Sequence, residues 1–133
     1  MASHNLQMMI YALGPLLYYN SRGYGPNKLE YILSLMSKCD ILFLQEHWYF
    51  DNEINSIESS VGNIQVFGIS DMDNDEILIC SPYGGCAILI NNSIKCKFDP
   101  IQLNKRSCGG ILTIGSIAIL YSVYICHVIQ HTT

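Results

Sequence analysis

Cys39-Asp40-Ile41-Leu42-Phe43-Leu44-Gln45-Glu46 decides the fold: four unbroken apolar residues, Ile41 to Leu44, run into an amide and a carboxylate, with His47 and Trp48 behind them. An apolar run that short, bounded by polar residues, reads as a β-strand buried on both faces. Ligands of open α/β sheets gather outside the carboxyl ends of such strands. Glu46 therefore stands where chemistry is usually placed. A carboxylate there is either a ligand for a hard cation or a satisfied structural acid, and one glutamate by itself does not decide between them.

Working backwards, Leu16 to Asn20 reads as a second strand, and Ser21-Arg22-Gly23-Tyr24-Gly25-Pro26 as the loop leaving its carboxyl end. Between the strands lies a helix. Asn27 is placed to cap it, Glu30 falls in the capping-box position, and Leu29, Ile32, Leu33 and Met36 share one face. Strand, crossover helix and buried strand make a βαβ unit, whose right-handed crossover makes the two strands parallel. Parallel strands end on the same edge of a sheet. Asn20 and Glu46, distant in the chain, are thus predicted to converge.

Working forwards, Asp51 to Ser60 predicts a short second helix with Ile54 and Ile57 inward, and Ile64 to Phe67 a strand. The acidic run Ser70-Asp71-Met72-Asp73-Asn74-Asp75-Glu76 lacks the turn glycine and closing glutamate of a calcium loop, and reads as a solvated loop. Ser81-Pro82-Tyr83-Gly84-Gly85 leads into a strand at Cys86-Ala87-Ile88-Leu89-Ile90 and lets Tyr83 project from the sheet's edge. Lys95 to Phe98 predicts a further strand stopped by Asp99-Pro100, followed by the one notable basic cluster, Asn104-Lys105-Arg106. Gly110 to Ile114 and Ile117 to Ile125 flank Gly115-Ser116 as a hairpin. Residues 1–15, broken at Gly14-Pro15, read as a leader of no assigned role, and residues 126–133 as a tail with no clear element.

The totals bound the function. At 133 residues the chain is one domain at most. Seven basic against 11 acidic residues give a net charge of −4, which excludes a broad electrostatic footprint for nucleic acid. With 50% hydrophobic and 14% charged residues the chain is apolar for a small domain, so a partner or a copy of itself is expected over an exposed apolar face. Six cysteines show no C-x-x-C pair and no zinc spacing, and several lie in apolar runs where thiols behave as small hydrophobes. No segment reads as a signal peptide or a bilayer span, so the expectation is an intracellular, reduced protein without membrane contact.

With these pieces in order, the chain resembles the amino-terminal half of the endonuclease/exonuclease/phosphatase superfamily, most of all the nuclease domains that accompany reverse transcriptases in non-LTR retrotransposons. Four places over residues 16–125 carry the likeness: Tyr19-Asn20-Ser21-Arg22-Gly23; the helix running into Asp40-Ile41-Leu42-Phe43-Leu44-Gln45-Glu46; Pro82-Tyr83-Gly84-Gly85-Cys86-Ala87-Ile88-Leu89; and Ser122-Val123-Tyr124. The resemblance implies metal-assisted hydrolysis of a phosphodiester or phosphomonoester; DNA is the partner in the family, weakly bound or unbound here, and the choice among DNA, RNA, an inositol phosphate and a phospholipid stays open. Glu46 would bind the catalytic cation, usually Mg²⁺, and Asn20 would support the scissile phosphate and the attacking water. Tyr124 would hydrogen-bond that phosphate, and Tyr83 would touch the substrate backbone, with Arg106 as the cationic candidate beside it. Magnesium takes few protein carboxylates and keeps several waters, so one well-placed acid suffices from this half.

The departures bear on activity. The family's G-D-x-N motif, later aspartate and terminal S-D-H do not occur, Tyr124-Ile125-Cys126-His127 replaces Y-x-P, and Ser81 stands where relatives often carry arginine. His127 reads as an ordinary core or surface histidine rather than the missing base. The expectation is a truncated or frameshifted copy, inactive alone. In fold it should be α/β: half of a four-layer α/β/β/α sandwich, a mostly single mixed sheet with one or two helices on one face. The alternative is a non-catalytic interaction module docking through the exposed apolar sheet face.

Overall fold

The computed structural model describes residues 16–70, 72, 83–104, 106–124 and 128–132, with the backbone alone described for 102, 103, 117, 119–124 and 128–132. The fold is α/β. It starts from β1 (Leu16–Asn20), α1 (Pro26–Met36) and β2 (Ile41–Gln45), with β1 and β2 parallel and Asn20 opposite Gln45. A 3₁₀ turn (Asp51–Glu53), α2 (Asn55–Val61), β3 (Ile64–Ile69) and β4 (Cys86–Asn91) complete a mixed sheet of order β1-β2-β4-β3. The second helix buries Ile57, and Ile54 just before it, as its spacing requires.

Every residue of β2 is buried, and alternation explains how. Leu42 and Leu44 join Ile32 and Met36 of α1, Ile57 of α2 and Ala87 and Leu89 of β4 in a core under the helices. Ile41 and Phe43 face the other way, with Cys86, Ile88 and Ile90.

That opposite face is covered by the chain itself. β5 (Lys97–Asn104), β6 (Ser107–Ile114), β7 (Ile117–Tyr124) and β8 (Val128–Thr132) form a second, antiparallel sheet in sequence order. Strand β6 lies over β3 and β4, and β7 over β2 and β4. Cys108 and Leu112 of β6 complete the inner core. The single mixed sheet expected from the sequence is thus two sheets. The apolar face expected to need a partner is packed against β6, because the hairpin arms fold back over β2 and β4 instead of extending their sheet.

Four local expectations are corrected. The cap of α1 is Gly25, with no side-chain cap, and Pro26 occupies the first turn; Asn27 lies inside the helix. Proline's fixed φ suits the first helical position, where its missing N–H costs nothing. On the same helix Leu33, expected inward, is 41% exposed. Strand β5 runs through Asp99-Pro100, with Pro100 opposite Gly110. It is an edge strand, the one sheet position that tolerates a residue without an N–H. Finally, the tail contains β8, which pairs with β7. The leader 1–15, most of the acidic run and His127 lie outside the described residues. No helix among the described residues is long and apolar enough to cross a membrane.

Candidate functional site

The parallel register of β1 and β2 carries both chains to one rim and ends there in polar side chains. Asn20 Nδ2 donates to Glu46 Oε2 at 2.5 Å. Asn20 Oδ1 accepts the N–H of Arg22 at 3.1 Å, which fixes which end of the amide faces the carboxylate. The two residues predicted to converge are in direct contact, Asn20 exposed and Glu46 half-buried.

Glu46 is held by its backbone as much as by its side chain. Its N–H donates to Gly85 O at 2.7 Å, and its carbonyl accepts from Gly23 N at 2.8 Å and from the hydroxyl of buried Ser21 at 3.0 Å. The loops after β1, after β2 and before β4 are therefore tied together at this residue. Glu46 sits at φ 55° and Trp48 at φ 62°, both in the left-handed region. A side chain there costs about 1 kcal/mol or more, and such strain clusters at sites where the surrounding structure must hold it.

His47 does not open onto the rim. His47 is fully buried. Its Nε2 lies 2.8 Å from the carbonyl of Ile69, and its Nδ1 accepts the N–H of Tyr49 at 2.9 Å. Those partners require the neutral ring with its proton on Nε2. A Cβ at Gly85 would lie 2.3 Å from the His47 ring, and one at Gly23 2.4 Å from the ring of Trp48. The glycines of the two loops let the backbone close over both rings. The indole Nε1 of Trp48 is buried without a hydrogen-bond partner.

The other expected site residues come to the same end of the sandwich. Gly84 O accepts the N–H of Trp48 at 3.0 Å, so Tyr83, 38% exposed, precedes the segment paired with Glu46. Cys86, opposite Gln45, touches Cys108 of β6 at 3.4 Å. Arg106, exposed, stands at the start of β6, where Ser107 pairs with Tyr124. The backbone thus puts positions 20, 46, 83, 106 and 124 on one rim; of the Tyr124 side chain nothing is described. Ser21 and Arg22 were not singled out from the sequence. Arg22, in the loop the sequence places after β1, adds an exposed cation beside Asn20.

Chemically, one carboxylate steered by an amide, with exposed cations on neighbouring loops, suits a cation that keeps most of its waters. Among the described residues no group of three or more His, Cys, Asp and Glu could hold a metal between them. The chain matches no known family model and no curated protein by sequence.

Proposed function

We propose that this chain forms the metal- and phosphate-holding half of a phosphodiester-hydrolase site, of the endonuclease type carried by non-LTR retrotransposons. The observation that carries the reading is the 2.5 Å contact between Asn20 Nδ2 and Glu46 Oε2 at the carboxyl ends of parallel β1 and β2. Glu46 would hold Mg²⁺, and Asn20 keeps the carboxylate turned to the rim. The ion, when bound, supplies positive charge against the charge that develops on the phosphate oxygens.

The chain's own residues then bind and orient. Tyr83, Arg22 and Arg106 are placed to meet a nucleic-acid backbone, and Tyr124 is the candidate for the scissile phosphate. His47 is not the base for the attacking water, since both its nitrogens already hold backbone partners. Binding without turnover is therefore the expected behaviour of this chain alone.

The test is fluorescence anisotropy of a short labelled DNA duplex at low salt. Binding that rises with Mg²⁺, falls with chelator and is lost in Glu46→Gln supports the reading. Binding indifferent to both the metal and the substitution overturns it.

A further inference from the structure

Cys86 and Cys108 lie on facing sheets with their sulfurs 3.4 Å apart. Cys86 begins β4 and is fully buried; Cys108 is the second residue of β6 and is 5% exposed. They link the two sheets at the end that carries Glu46. We propose that this pair is an oxidisable site, closing an intramolecular disulfide that staples β4 to β6.

The geometry is near that of the product. A disulfide needs its sulfurs about 2.05 Å apart, so an approach of about 1.4 Å completes it. The surroundings leave room for little else. The Cys86 thiol also points to the carbonyl of Arg106 at 3.9 Å, and Cys108 to that of Phe67 at 4.0 Å, so each sulfur is held near the other by the opposite sheet. The oxidant must be small, because no bulky disulfide can reach buried sulfurs. A peroxide fits. One thiol displaces water from hydrogen peroxide to give a sulfenic acid; the second thiol attacks that sulfur, forming the S–S bond and releasing a second water. Two thiols lose two protons and two electrons, and one peroxide becomes two waters.

Contact with the Cys86 thiol and burial raise the Cys108 thiol well above the ordinary range, which keeps little of it as the reactive thiolate. The reaction is correspondingly slow. Its consequence reaches the rim through one residue: Gly85, adjacent to Cys86, accepts the N–H of Glu46. The inference stands on the two sulfurs and holds whether or not Glu46 binds a metal.

The experiment treats the whole chain with hydrogen peroxide under native conditions, blocks remaining thiols with an alkylating agent, and maps linked peptides by mass spectrometry. A Cys86–Cys108 linkage lighter by two hydrogens, reversed by dithiothreitol, is expected. It should persist in Cys80→Ser and vanish in Cys86→Ser, and the oxidised chain should melt at a higher temperature than the reduced one. Alkylation of both Cys86 and Cys108 in the treated chain, or linkage of Cys86 to a different cysteine, overturns the proposal. Should Cys86→Ser fail to fold, the linkage map of the unsubstituted chain still decides.

Discussion

Glu46 occupies a backbone conformation that its own side chain disfavours, with φ at 55°. The turn aims the carboxylate at Asn20, where it is either a satisfied structural acid or, as proposed, the ligand of a cation. Replacement by glycine separates the two roles. Glu46→Gly should relieve strain and leave the chain as stable as before or more stable by up to about 1 kcal/mol in urea unfolding, while divalent-cation binding disappears. Loss of stability by several kcal/mol would instead mark Glu46 as a structural residue. At this scale the sequence was legible where the signal was local: an acid after an apolar run names itself. Ser21 had no such signal, since its hydroxyl bonds carbonyls of another strand, and His47 gave no sign that both its nitrogens would turn inward.

Among the elements, β2 is buried on both faces, with helices on one and the second sheet on the other. Leu44→Ala should cost about 2–5 kcal/mol, the range for a buried leucine whose neighbours cannot collapse into the space. Pro100→Ala, on edge strand β5, should change stability by no more than about 0.5 kcal/mol, because its neighbour lies on one side only. Equal effects at the two sites would contradict the layer assignment. The strands β1 and β2, the second helix and the hairpin around Gly115 were readable because period, apolar runs and turn residues are short-range signals. The Asn27 cap was misread because Pro26 claims the first turn. Strand β5 was cut short at Pro100 because edge position, which rescues a proline, is not visible in the chain. Strand β8 was missed for a related reason: it exists by pairing with β7, a contact no local pattern encodes.

Taken whole, the chain is a helical layer and two sheets, and the second sheet's position was the least legible feature. The apolar fraction signalled that a face needed cover; only long-range packing shows that β6 provides it. The same packing sets how the protein responds to alkali. Burial, with the charge of Asp40 adding, pushes the Cys39 thiol up from 9.0 to about 11, and raises Cys96 for the same causes. Cys108 is raised by its contact with Cys86 and by burial. Below pH 9 these thiols are protonated in both states and contribute no pH dependence. Above it the unfolded chain releases protons that the folded chain retains, so stability falls as pH rises. Urea midpoints should therefore decline between about pH 9 and pH 11, with Cys39 alone accounting for roughly 2 kcal/mol at the upper end. The decline should be shallower in Cys39→Ser, and an unchanged slope there would remove Cys39 from the account.

The central claim is that two parallel strands bring Asn20 and Glu46 to one rim as a seat for a divalent cation. Manganese, which replaces magnesium and is visible by electron paramagnetic resonance, reports on it directly. Titration of the chain should show one site that Mg²⁺ displaces and that Glu46→Gln abolishes while the fold, judged by circular dichroism, is unchanged. Manganese bound equally well by the substituted chain, or not bound by the original, would contradict it.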